Sequence, residues 1–192
     1  MELAFLFKKH TPVYAMNKAL GECNVVLLDD FGPRHRIEPS DAPDLLVVCY
    51  DNFFESNDTN KAVGLLTLHY TEASRAWEVG TVSVRKVYSH DVIFHMFMER
   101  VSDVIVENFM NEDDTPAAAW LVRRVKQHNR LHINTLKSVG FEEPAHFMIG
   151  VLSNDGYIPF DPFDEVLMKR RICPPALAQL EATRADSVVF NT

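Results

Sequence analysis

The sequence predicts an α/β (α+β) protein with a mixed, mostly antiparallel central sheet flanked by helices. Three observations carry that prediction. Residues 44–51 (DLLVVCYD), 61–70 (KAVGLLTLHY) and 76–88 (AWEVGTVSVRKVY) are β-rich runs separated by polar segments. Residues 92–110 hold the longest helical pattern, with Ile93, Phe97, Val101, Val104 and Ile105 on one side and Glu99, Arg100, Asp103 and Glu107 largely on the other. After it, a strand-like run at 117–125 (AAAWLVRRV) leads into a short capped helix at 129–141. A helix crossing over from residues 76–86 to residues 117–125 requires these two strands to be parallel neighbours in one sheet.

Taken in chain order, residues 1–43 read as the N-terminal part of the same domain. LAFLF is apolar, residues 14–20 have helical character, and NVVLLDDFGPRH reads as a strand followed by a Gly-Pro turn. The runs at 44–51 and 61–70 are separated by NFFESNDTN, as in an antiparallel hairpin with a longer loop. In the third run the inward face changes parity: Trp77 and Val79 are apolar at odd positions, Val82 and Val84 at even ones. A β-bulge at Gly80 accounts for the change.

Asp91 is the predicted N-cap of the long helix. In the short helix, Asn129 is the N-cap, Leu131, Leu136 and Val139 form the apolar face, and Gly140 supplies the left-handed residue that ends it. Two further runs, HFMIGVL and DEVLMKRR, lie either side of SNDGYIPFDPF and are predicted to close a hairpin. Residues 44–170 therefore form the predicted core. Residues 171–192 form a C-terminal helix and tail, with Pro175 in the first helical turn.

Composition bounds the function. At 192 residues, 47% hydrophobic and 24% charged, the chain suits one soluble globular domain. A net charge of −8 argues against wrapping nucleic acid, which draws on clustered Lys and Arg. Arg123, Arg124 and Lys126 form a local basic patch, read as a solvated strand end. No run is apolar enough to span a membrane, and MELAFLFKKH lacks the basic-then-apolar order of a targeting signal. Cys23, Cys49 and Cys173 are odd in number and far apart, which places the chain in a reduced, cytoplasmic compartment.

Metal and nucleophile motifs are sparse. His128 and His132 are spaced i, i+4, but NRL between them lacks the general base of a zinc protease motif, so capping or surface roles are expected and no metal is assigned. His90 and His95 flank the start of the long helix, and a protonated His90 can hold a phosphate, although a lone histidine is more often structural. Tyr157, Phe160 and Phe163 among prolines read either as a recognition loop for a protein partner or as aromatic plugs at a core edge.

Residues 129–141, NRLHINTLKSVGF, together with the order β, β, β, helix, β, helix, β, β, resemble the GCN5-related N-acetyltransferase superfamily over residues 44–170. The resemblance implies that EVGTVSVRKVYSHDVIFHMFMERV is the family's central strand, phosphate-binding turn and long helix. Glu78 then sits where many members carry a strand glutamate, Val84 is the last strand residue, Tyr88 is the turn aromatic, and Asn129 is a residue that often contacts the cofactor. The three glycine positions of the turn fall on His90, Val92 and Phe94, and the usual general-acid tyrosine falls on Leu136. Glycine serves there because several backbone N–H groups must approach the pyrophosphate closely, and leucine cannot protonate a thiolate.

The resemblance therefore leaves two expectations. One is an acetyl-CoA-dependent N-acetyltransferase acting on a primary amine with Glu78 as base. The other, favoured on the site residues, is a catalytically weak or inactive interaction protein of that fold. RLHINTLKSVGF is also similar to the acetyltransferase-like internal virion proteins of short-tailed phages, which would place the chain in a virion and in contact with protein partners.

Overall fold

The computed structural model describes residues 1–52, 61–72, 75–109, 120–143 and 164–172. Among them six strands form one sheet in chain order: β1 (Glu2–Phe7), β2 (Leu45–Tyr50), β3 (Ala62–Thr71), β4 (Ala76–Val84), β5 (Trp120–Lys126) and β6 (Glu165–Arg171). Neighbours are antiparallel except β4 and β5, which are parallel and joined through α2 (His90–Asn108). Helices α1 (Val13–Phe31) and α3 (Arg130–Ser138) complete the described elements apart from a short 3-10 turn at Pro39–Asp41. The crossover predicted from residues 76–86 to 117–125 is therefore present, with the first strand ending at Val84 and the second at Lys126.

Each face of the sheet buries a separate apolar layer. On one, Leu45, Val47, Leu66, Leu68, Trp77 and Val79 pack with Ile93, Phe94, Phe97, Val101 and Ile105 of α2 and with Ile133 and Leu136 of α3. On the other, Met16, Ala19, Leu20, Cys23, Val26 and Leu27 of α1 cover Leu46, Val48 and Leu65. The alternation of β2, with odd residues to one layer and even residues to the other, is the period of a strand buried on both faces. Burying each such side chain stabilises the fold by roughly 2 kcal/mol relative to exposure.

The predicted bulge falls where parity changes. Leu66 pairs with Val82 and Leu68 with Val79, so Gly80 and Thr81 together oppose Thr67. A Cβ on Gly80 would lie 2.5 Å from Thr67 Oγ1, and the Thr67 hydroxyl accepts the Thr81 N–H at 2.8 Å. Glycine is required there by this close approach.

Several expectations are corrected. Residues 24–31, read as a strand, continue α1; the run VVLL is too short to set a period by itself, and Met16, Ala19, Leu20, Cys23, Val26 and Leu27 reveal helical spacing only over the whole segment. Gly32 then ends the helix with φ of 87°. Helix α2 starts at His90 with Ser89 in the N-cap position, so Asp91 lies in the first turn rather than capping it. In α3 the cap at Asn129 is present, its side chain accepting from the His132 N–H, and Gly140 is left-handed with φ of 86°. Leu131, however, is 79% exposed; the buried side is Ile133 and Leu136, because i, i+3 and i+4 steps from Asn129 lead to these positions and not to 131. HFMIGVL, the aromatic loop with Tyr157, Phe160 and Phe163, Cys173 and the helix after Pro175 lie outside the described residues, and in those that are described β6 pairs with β5.

Candidate functional site

Strand β4 organises the chemistry. Its parallel ladder with β5 has only the pairs Ala76 with Trp120, Trp77 with Leu121 and Glu78 with Val122. Beyond Glu78 the two strands part. Arg123 comes from the α2 and α3 side of β5, between the buried Leu121 and Val125, and its Nη1 donates to the Val79 carbonyl at 2.6 Å. The guanidinium thereby fills the gap between the strands. Its Nε is shielded from solvent and has no hydrogen-bond partner, although the residue as a whole is only half-buried. Burial lowers the Arg123 pKa to about 10, with Glu78 opposing and Arg124 reinforcing the shift.

Glu78 points to the opposite face, and it is tied up. Arg124 Nε and Nη2 donate to the same oxygen, Oε1, at 2.7 and 2.6 Å. The Glu78 side chain is 22% exposed, so this is a partly buried, charge-assisted pair and not a solvated one. The basic patch read as a solvated strand end is thus corrected: Arg123 and Arg124 are engaged in the sheet, and only Lys126 remains at the surface, pairing with Asp164 at 2.5 Å.

Around Glu78 the α1 face opens into a cleft of about 750 Å³. Leu27 and Phe31 of α1, Arg34, His35 and Arg36 of the following loop, Thr67 and His69 of β3, Glu78 to Val82 of β4, and Arg123, Arg124 and Glu165 line it. The loop is fixed by Asn24, whose side chain donates to the Ile37 carbonyl at 3.1 Å and accepts the Ile37 N–H at 2.8 Å. Arg34, Arg36 and His69 carry no sequence motif; spacing alone did not single them out, since only the fold brings loop and strands together.

The other end of β4 has a different character. Val84 closes the strand and is buried, 4% exposed. In the turn, the Lys86 N–H donates to Asp29 Oδ2 at 3.0 Å, the Tyr88 N–H to the Arg85 carbonyl at 2.9 Å, and the Tyr88 hydroxyl to Asp51 Oδ2 at 2.7 Å. Burial and that bond to Asp51 push the Tyr88 pKa up to about 12. Ser83 Oγ donates to Asp30 Oδ2 at 2.8 Å, so consecutive aspartates of α1 clamp strand and turn. The first turn of α2 directs N–H groups outward, as any helix start does, but Asp91 places a carboxylate among them.

The three residues expected at the glycine positions of the turn separate. His90 is exposed and stacks its ring on Phe94 with centroids 6.2 Å apart, Val92 is 56% exposed, and Phe94 is fully buried in the α2 core. Phe94 does not crowd the turn, because its ring packs inward. Leu136 is also fully buried. Asn129 caps α3 through its side-chain oxygen. His132 is half-buried rather than a surface residue; desolvation, then the charges of Arg123 and His90, lower its pKa to about 4. Its Nε2 is enclosed without a partner. His95 bridges helices through the Asp91 carbonyl at 2.7 Å and Ser138 Oγ at 3.2 Å. No group of three metal-ligating side chains occurs among the described residues.

No protein-family profile matches the chain, and no curated protein matches it. Solved structures do. The chain is similar to Arabidopsis thaliana NAA60 in complex with acetyl-CoA (TM-score 0.57, 15% identity, covering 89% of this chain and 100% of that one). It is similar to the ribosomal-protein-S18-alanine N-acetyltransferase from Escherichia coli (0.54, 13%, covering 89% and 94%). Tetrahymena GCN5 is a third (0.53, 14%, covering 91% and 98%). The fold is that of the GCN5-related N-acetyltransferases. No helix among the described residues is long and apolar enough to cross a membrane.

Proposed function

We propose that the chain is an interaction protein built on the acetyltransferase fold, with weak or no acyl-CoA chemistry. The observation that carries this reading is the Arg123 guanidinium in the gap where β4 and β5 part, bonded to the Val79 carbonyl at 2.6 Å. In acetyltransferases of this fold that gap admits the acyl-CoA arm. Here a charged side chain fills it, and an acyl chain entering would have to displace a half-buried cation from its hydrogen bond.

Other residues of the site point the same way. The helix start that would receive a pyrophosphate carries Asp91, and the turn before it satisfies Asp29 and Asp51. A polyanion would meet fixed negative charge where it needs donors. Glu78 is neutralised by Arg124, and Leu136 offers no proton to a leaving thiolate. The residues present therefore do not fit acetyl-CoA, and no catalytic step is assigned to it. Similarity of residues 130–141 to internal virion proteins of short-tailed phages supports a structural place in a virion, with protein partners.

A second reading, amine acetylation with Glu78 as base, draws on the fold, on the parting of β4 and β5 and on the position of Glu78 in an open cleft. Calorimetry of the full chain against acetyl-CoA distinguishes the two. We expect no saturable heat; micromolar binding, or acetylation of an amine that falls about 100-fold in Glu78→Gln, would return the enzyme reading to first place.

A further inference from the structure

The cleft on the α1 face is basic in an acidic protein. Four guanidinium groups line it, Arg34, Arg36, Arg123 and Arg124, with the imidazoles His35 and His69, against the carboxylates Glu78 and Glu165. The whole chain carries a net charge of −8. Gathering like charge in one concavity costs self-repulsion and is relieved by a complementary ligand. Glu78 is already matched to Arg124, and Arg36 reaches Glu38 at the surface at 3.1 Å. Arg34 makes no ion pair among the described residues, and Arg123 keeps a buried Nε without an acceptor.

We infer that this cleft binds an acidic polypeptide segment, the contact through which the chain engages its partner. This rests on the interaction-protein reading above. Two features favour an extended peptide over a single small anion. The guanidiniums stand on separate elements, the loop after α1 and strand β5, an arrangement suited to successive carboxylates of one chain. The lining also offers apolar surface at Phe31, 48% exposed beside the buried Leu27, suited to a side chain between carboxylates. An amine-bearing substrate is disfavoured by the same field that draws carboxylates in.

The test is calorimetric titration of the full chain with an end-blocked hexaglutamate peptide, with hexalysine and inorganic pyrophosphate as comparison probes. Hexaglutamate is expected to bind, weakening about tenfold between about 50 mM and about 200 mM salt. Arg34→Ser combined with Arg36→Ser, both on exposed loop positions, is expected to weaken it about tenfold again with an unchanged circular dichroism spectrum. Hexalysine should give no heat. Absence of hexaglutamate binding, or binding indifferent to the double substitution, would overturn the inference. So would pyrophosphate binding more tightly than the peptide with the same arginine dependence, which would make the cleft a small-anion site. Acetyl transfer from acetyl-CoA to a lysyl peptide overturns the functional reading instead, so the two failures are separable.

Discussion

Two regions flank β4 and differ in almost every physical respect. At its C-terminal end, residues 85–92 form a turn closed by the molecule's own groups, with Asp29, Asp51 and Asp91 gathered about it. Beside its middle, the cleft around Glu78 is open and lined by arginines. One is a helix start whose setting is acidic; the other is a sheet surface whose setting is basic. The sheet fixes where sites can form, whereas the side chains around it decide which charge each site accepts. An anion would therefore be drawn toward the cleft and away from the turn.

The comparison breaks most visibly at Phe94. If the turn could be restored by glycine, Phe94→Gly would be mild. Its ring is fully buried, so we expect a loss of about 4 kcal/mol, combining the cavity with the helix cost of glycine. Val92→Gly, exposed at the helix start, should cost under ~1 kcal/mol. Urea denaturation of the two variants measures the contrast, and equal midpoints would show that Phe94 belongs to the turn after all.

On the cleft side, Glu78→Gln tests whether the carboxylate is structural. It accepts two bonds from Arg124 and lies near Arg123, so glutamine removes the negative charge that faces both guanidiniums, and we expect about 2 kcal/mol of destabilisation. This is more than an exposed carboxylate would give. An unchanged denaturation midpoint would reduce the pair to a surface contact.

Acid sensitivity sharpens the comparison further. His132 has a folded pKa near 4 against the ordinary 6.5 of a free imidazole, so between these values the unfolded chain binds more protons than the folded one. The contribution is fully present above pH 6.5 and is lost as pH falls toward 4, by about 1 kcal/mol after allowing for the ring's partial exposure. His132→Gln should flatten the dependence of thermal stability on pH over that window. The smallest effect is expected at Asp91→Asn, which removes a favourable charge from the α2 N-terminus for about 0.5 kcal/mol. The same change should make the turn more hospitable to phosphate, read as pyrophosphate binding by calorimetry.

Much of the scaffold was legible in the sequence because it depends on local periods. The parity switch at Gly80 located the bulge, Asn129 and Gly140 located the ends of α3, and the helical pattern after residue 92 implied the parallel pair β4 and β5. Failures came where period was ambiguous or direction mattered. VVLL fits a strand or a helix, and Leu131 is apolar yet faces outward. The site was less legible still. Glu78 was visible as a strand carboxylate, but its capture by Arg124 depends on the register of Glu78 beside Val122, which no spacing encodes.

The sequence by itself determined the mixed sheet and its helical crossover, the bulge, and the ends of the short helix α3. Only the tertiary structure decided that Arg123 fills the gap in the sheet, that Phe94 turns inward, and that arginines from a loop and a strand far apart in the chain share one cleft. The physical reason is range. Hydrophobic period and capping act over a few residues and can be read along the chain. Charge pairing and burial depend on distances in space, which exist only once the strands have taken their neighbours.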